Sequence, residues 1–321
     1  MPSCGVWWPA EMARRRPRCV VALALATIFV ALAAAGLAAC GHKGSQAAQT
    51  PAQRFAAILG HQPTGLAATI AARGTLVVGE DAEFAPQSTV DSAGAWSGFD
   101  VDVAREVGAV LGLKVEIRKL DWARVPVALA AGRYDVAISS MTTDPTPSRK
   151  LAFAAPYAYS IAQVAVPAGA TTIASLAELS GKTIGASAST TFQRFLEAAS
   201  GVGVSLYGDD GDALTDVSAG SLAGAMVADT TIKSEQAAGA HIAVSSAGFY
   251  YQPQAFAVRQ GESDLVAVLS GAVKTMRANG SLTALSRKWY DGLDVSAAPA
   301  AAVPSFSKAL ALLKAGTYPA Q

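Results

Sequence analysis

After residue 40 the chain has no cysteine; its three lie at Cys4, Cys19 and Cys40. The body that follows therefore has no disulfide and no thiol chemistry. Histidine is nearly as scarce. His42, His61 and His241 stand far apart, and no Cys/His cluster has the spacing of a metal site. Charge is sparse too. Asp, Glu, Lys and Arg make up 15% of 321 residues and leave a net charge of +1, against about 25% charged residues in an ordinary globular chain. So even a balance offers no basic face for nucleic acid and no strongly charged partner surface. No metal, no cofactor and no nucleic acid are expected.

What is present begins with "MARRRPRCVVALALATIFVALAAAGLAACG". Arg14, Arg15, Arg16 and Arg18 precede an uncharged run from Cys19 to Cys40. Positive charge before an apolar run is the order of an export signal. A run of roughly 20 residues also has the length of a membrane-spanning helix. The stretch "LAAC", Leu37 to Cys40, is similar to a bacterial lipobox, in which small residues precede a cysteine that is lipidated and becomes the new N-terminus. The expectation is a signal peptide over residues 1–40. A lipid on Cys40 would then anchor the exported chain at the outer face of the cell membrane.

Beyond a polar tether expected over 41–70, which ends in short helical stretches, the pattern becomes regular. "TLVVGED" reads as a short buried strand. "FDVDVAREVGAVLG" puts Val103, Val107, Val110 and Leu111 on one helical face, with Asp102, Arg105 and Glu106 opposite. "KVEIRKL" alternates as a strand does, and Pro126 in "ARVPVALAAG" suits a first helical turn. "YDVAISS" is apolar on both faces, as central parallel strands are. The order β-α-β-α-β argues for a parallel sheet with covering helices. A second series starts near Thr171, with capping-box spacings at Ser175…Glu178 and Thr190…Gln193. The Ala/Pro-rich tail "SAAPAAAVPSFSKALALLKAG" ends weakly helical and reads as an appendage.

Chemistry gathers where strands end. In parallel αβ sheets ligands sit at the carboxyl ends of strands. There stand Ser139, Ser140 and Thr142, followed by Arg149, whose guanidinium offers a carboxylate a bidentate fork. Ser189, Thr190 and Thr191 open a helix, and free amides at such a point attract anions. Asp229 ends a strand, where an acid could hold an ammonium or cap the next helix. Asp81, Phe84 and Trp122 follow strands of the first series. Each has a plain structural explanation as a cap, a core aromatic or a surface charge. Taken together they compose a site for an α-amino acid.

From Gly74 to Gly292 the chain resembles the family 3 extracellular solute-binding proteins, receptors of polar amino-acid ABC importers. The resemblance lies in the order and spacing of "GTLVVGEDAEFAP", "GFDVDVAREVGAVLG", "DWARVPVALAAGRYDVAISSMT", "RKLAFAAPY", "LSGKTIGAS" and "GSLTALSRKWY". It implies an α/β, two-lobed periplasmic-binding-protein-like fold of type II, its lobes joined by two hinge strands. The first lobe would hold residues 71–162 and 254–293, the second 163–253, and residues 294–321 would form a C-terminal extension. It further implies that Arg149 takes the α-carboxylate, helped by Ser140, Thr142 and the Thr190 region. Asp229 would take the α-ammonium, and Phe84 and Trp122 would sandwich the side chain. Asp81 would meet its polar end, which favours glutamine or a basic amino acid. The implied partners are an amino acid, a membrane permease and the lipid at Cys40, with the chain itself a monomer.

Two departures from the family pattern stand out. "MTTDPTPSR" carries two extra residues and Ser148 where the family has a glutamate, and "AGSLAGAMVAD" lacks an acid usual before Asp229. The alternative on the same fold is a periplasmic cyclohexadienyl dehydratase acting on prephenate or arogenate. It would need one of Asp81, Glu83 or Asp229 as a general acid.

Overall fold

The structure is a computed structural model that describes residues 49–143, 150–245, 248–299 and 303–319. The signal segment, Cys40 and Arg149 lie outside the described residues. No helix among those described is long and apolar enough to cross a membrane.

Two large sheets organise the chain, beside a small antiparallel one of β2 (Glu83–Phe84), β3 (Ser88–Val90) and β4 (Trp96–Ser97). The first has the order β5 (Lys114–Lys119), β1 (Thr75–Glu80), β6 (Val136–Ala137), β14 (Ala257–Arg259) and β7 (Leu151–Phe153). β1 runs parallel to β5 and β6, as the alternation of strand and helix predicts. β14 is antiparallel to both its neighbours because the chain re-enters this sheet from the second one. The second sheet has the order β10 (Gly203–Tyr207), β9 (Thr183–Ser187), β11 (Gly224–Ala228), β8 (Ala158–Pro167) and β12 (Ile242–Val244), with β13 (Tyr250–Gln254) also paired to β8. Each sheet has its own apolar cores, which makes two αβ lobes.

The helix Phe99–Leu111 forms where the periodicity places it. Val103, Val107 and Leu111 are fully buried against the first sheet, whereas Val110 is half-buried at the edge of the stripe. Gly98 precedes it at φ +137°, with the backbone of Gln87 and Ser88 pressed where a side chain would begin, so only glycine fits there. The segment "SLAELSG" departs from the reading as a capped helix. It makes only a 3₁₀ turn, Ala177–Leu179, with Glu178 accepting from the Ala174 N–H at 2.8 Å.

The tether requires correction. Residues 51–70 are not a linker. Helices Pro51–Leu59 and Gly65–Arg73 bury Phe55, Ala67 and Ile70 completely in the core of the first lobe. Thr50 caps the first of them in a capping box with Gln53. The apolar residues of "RFAAILG" recur at helical spacing, and burying that face outweighs any tether role.

The tail also joins the core. Val295 belongs to the core of the first lobe and its carbonyl accepts from the Tyr159 N–H at 2.8 Å. The helix Phe306–Lys314 then buries Phe306 and Ala309 in the second lobe. Two strands, β8 and β13, cross between the sheets as an antiparallel pair with Gln252 opposite Ser160. Tyr251 of β13 binds the tail through Pro304 and Ser305.

Candidate functional site

A cleft lies between the two sheets, walled by strand ends of both lobes and floored by the crossing strands. On the first-lobe wall, β1 delivers Asp81, whose N–H donates to Ser139 Oγ at 3.2 Å. Asp81 Oδ1 accepts from the Glu83 N–H at 3.0 Å, which folds the chain back so that Glu83 and Phe84 also face the cleft. Trp122 opens a short 3₁₀ turn capped by Asp121 and adds a flat apolar surface.

Ser140 follows β6 with a left-handed backbone, φ +46°, unusual for a residue with a Cβ. It is held there from below. Its N–H donates to the Tyr157 hydroxyl at 3.0 Å, and that hydroxyl donates to Asp100 Oδ1 at 2.8 Å. The Ser140 amide is therefore already partnered inside the lobe. Burial pushes the Asp100 carboxyl up to about 7, with the Tyr157 hydrogen bond acting in the opposite direction. Glu80 beside it is also fully buried and is raised well above the carboxylate range by burial and by the neighbouring Asp100.

On the second-lobe wall, Thr190 caps the helix Thr191–Ala198 by accepting from the Gln193 N–H at 3.3 Å. Asp209 caps the helix Asp210–Ser218 by accepting from the Asp212 N–H at 2.8 Å. Asp210 accepts from the Ser187 hydroxyl. Burial pushes the Asp210 carboxyl up to about 6 against the lowering effect of that bond, and Asp209 beside it raises it further. The floor is built by Ser160 and the glutamines of β13. Gln254 Nε2 donates to Ser160 Oγ at 3.1 Å, and Gln252 Oε1 accepts from Thr142 Oγ1 at 2.7 Å and from Thr191 Oγ1.

Of the residues assigned from sequence, Asp81, Phe84, Trp122, Ser139, Ser140, Thr142, Ser189, Thr190 and Thr191 all line this cleft. Asp229 does not. It opens the helix Asp229–Ala237 and its Oδ1 accepts from the Ile161 N–H on β8 at 2.9 Å, so the carboxylate serves the crossing strand. Burial raises its affinity for a proton, offset in part by that hydrogen bond. Sequence reasoning missed Asp209, Asp210, Gln252 and Gln254, and weighed Glu83 only as an acid for the dehydratase alternative. The acids were open to detection, because "GDDGD" follows a strand just as Asp81 does. The glutamines alternate in "YQPQ", and a period of two puts both on one face of a strand.

The charged residues among the described lining are all acidic, Asp81 and Glu83 from one lobe and Asp209 and Asp210 from the other, and Lys119 Nζ pairs with Glu83 at 2.9 Å beside the lining. Low-dielectric walls lined by one sign of charge concentrate the opposite sign. Such a cleft offers aromatic faces, hydroxyl donors and two acidic ends. No group of three or more acids, histidines or cysteines among the described residues could hold a metal ion.

Comparison with known proteins agrees with this architecture. The chain is 30% identical over 239 residues to the L-cystine-binding protein TcyJ of Escherichia coli K12, covering 72% of this chain and 88% of the relative. It is similar in structure to AncCDT-1, an ancestral amino acid-binding protein and precursor of cyclohexadienyl dehydratase, with a TM-score of 0.63 and 26% identity over 69% of this chain and 97% of the other. An ancestral arginine-binding protein bound to arginine superimposes with a TM-score of 0.62 and 28% identity, over 68% of this chain and 99% of the other. The curated relative is named for what it binds and not for a reaction. The family model of the bacterial extracellular solute-binding proteins, family 3, matches residues 76–292, and the chain belongs to that family.

Proposed function

We propose that this protein is the extracytoplasmic substrate-binding component of an ABC importer and that its ligand is an amino acid with two separated cationic groups. Arginine and L-cystine both meet that description, and either suits the cleft better than glutamine, which has one. The observation that carries the reading is the pair of acidic ends, Asp81 with Glu83 and Asp209 with Asp210, on facing lobes. One end takes the α-ammonium and the other the guanidinium or the second ammonium. The hydroxyls of Ser140, Thr142, Thr190 and Thr191 take the α-carboxylate, with Arg149 completing that group. Phe84 and Trp122 pack the aliphatic or disulfide middle.

Capture proceeds by closure. The lobes pivot on β8 and β13, and contacts to both walls bias the closed state. The closed, loaded form docks on a membrane permease, and the lipid on Cys40 keeps the monomer at the outer membrane face. The relatives named for cystine and arginine support this ligand class. The dehydratase alternative draws less support, since AncCDT-1, named as a precursor of cyclohexadienyl dehydratase, is itself named as amino acid-binding.

Calorimetry on ligand-stripped protein tests the reading with arginine, L-cystine, glutamine and prephenate. Micromolar binding, about −8 kcal/mol, is expected for arginine or cystine, with glutamine at least tenfold weaker. Equal or tighter binding of glutamine would remove the two-cation requirement. Turnover of prephenate would make the protein an enzyme.

A further inference from the structure

Gln252 sits on β13 with 3% of its surface exposed, yet it lines the cleft. Its amide oxygen accepts two hydroxyl hydrogen bonds, from Thr142 at 2.7 Å and from Thr191. Thr142 belongs to the segment that leaves the first sheet, and Thr191 is the first residue of a second-lobe helix. One oxygen therefore draws a donor from each lobe to the floor of the cleft. The backbone fixes this placement. Thr142 bridges Gln254, the Thr143 N–H donates to the Pro253 carbonyl at 2.8 Å, and the Ala255 N–H donates to the Met141 carbonyl at 3.0 Å.

An oxygen that collects hydroxyls from both lobes makes the contacts a bound α-carboxylate would make. We propose that Gln252 is a stand-in for the ligand carboxylate: its amide oxygen holds the two threonine hydroxyls together while the cleft is empty and gives them up when a carboxylate arrives. This rests on the reading of the cleft as an amino-acid site. A neutral amide suits the role. It orients both hydroxyls, while an ionised carboxylate binds the same donors about twice as strongly and displaces it. The hydroxyl rotors are already ordered before the ligand enters, which lowers the entropy cost of capture. Gln252 thereby sets both the resting separation of the lobes and the ligand affinity.

The bridge is read directly in ligand-free protein. Spin labels at the exposed positions Lys114 and Lys182, in the full chain with its three cysteines changed to serine, report the distance between lobes by double electron–electron resonance. Gln252→Leu is expected to lengthen and broaden that distribution. Thr142→Val and Thr191→Val should each do the same, and neither should add to Gln252→Leu. If Gln252→Leu does not fold, the two threonine variants alone carry the test, since each cuts one half of the bridge. Gln252→Glu keeps the acceptors and adds charge, so its distribution should be no longer than the parent's. Its arginine or cystine affinity should fall tenfold or more, because two carboxylates then compete for one pair of hydroxyls.

Unchanged distances in Gln252→Leu and in both threonine variants would overturn the bridge. Undiminished affinity in Gln252→Glu would overturn the competition. The distances do not depend on which amino acid binds, so a parent that binds none would defeat the functional reading, and with it displacement by a carboxylate, while the bridge is judged separately.

Discussion

Tyr157 donates its hydroxyl to the buried carboxyl of Asp100 at 2.8 Å and, through the same oxygen, accepts the Ser140 N–H at 3.0 Å. The floor of the first-lobe wall is thus fastened to the core by one phenol. Tyr157→Phe keeps the ring stack on Phe256, whose centroid is 4.7 Å away, and removes only the oxygen. The Ser140 amide and Asp100 then lose a buried partner, at a cost of about 1–3 kcal/mol. Urea unfolding should show that loss. Ligand affinity should fall with it, because the left-handed Ser140 is no longer held. Unchanged stability would mean that water replaces the phenol.

Stability should fall as pH rises from about 4 to 7, the reverse of ordinary acid denaturation. Asp100 is raised to about 7 and Asp210 to about 6 in the folded chain, in both cases chiefly by burial, while unfolded aspartates titrate near 3.9. Between these values the folded state holds more protons than the unfolded state, so raising the pH favours unfolding. For Asp100 the shift from 3.8 to about 7 corresponds to about 4 kcal/mol at most, at about 1.4 kcal/mol per unit. Asp100→Asn still offers Tyr157 an acceptor. It should raise the melting temperature most at pH 8 and by about a third as much at pH 5, where the unfolded aspartate is already ionised. A variant that melts lower at pH 8 would show that the ionised carboxylate is stabilised by partners.

The sequence made much of this legible, for identifiable reasons. Strand ends and helix starts are local signals, so Asp81, Ser139, Ser140, Thr142 and Thr190 could be placed on one cleft from their neighbours alone. Asp229 shared that signal but stands outside the lining, with its carboxylate turned to the Ile161 N–H, a partner 68 residues away in the chain. Gln252 offered only the alternation of "YQPQ" as a local sign. A polar residue on a hinge strand acquires meaning only when two threonines from different lobes converge on it. The helices over 51–73 and 306–314 were visible as periodicity, but which core they complete was not.

Ligand affinity should respond to pH in the opposite sense to stability. A cationic ligand needs Asp210 ionised, and the carboxyl at about 6 is mostly protonated at pH 5. Affinity for arginine should therefore drop several-fold between pH 7.5 and pH 5. Asp210→Asn should bind roughly tenfold more weakly at pH 7.5, about 1.4 kcal/mol, and should lose most of that pH dependence. Calorimetry at the two pH values checks both statements. If Asp210→Asn keeps the full dependence, another acid on the wall holds the cation.

The tail offers the sharpest test of what belongs to the folded body. Phe306 is 2% exposed. Its ring centroid lies 5.2 Å from that of Tyr250 on a crossing strand, and the Arg194 guanidinium stands 5.0 Å over its face. Farther along, the Tyr318 hydroxyl donates to the Phe249 carbonyl. A dispensable extension would not fill the same apolar cluster as Phe195, Phe249 and Tyr250. Phe306→Ala should cost about 3–5 kcal/mol, the range for emptying a buried aromatic site. Val127→Ala, at a side chain 71% exposed on the first lobe, should stay within about 0.5 kcal/mol. The two are compared by denaturant unfolding without ligand, with the slope checked so that a shifted midpoint reports stability alone. A Phe306→Ala variant as stable as Val127→Ala would return residues 303–319 to the status of an appendage. The expected gap would make them part of the second lobe, reached by a chain that has already left its mark, through Val295, on the first.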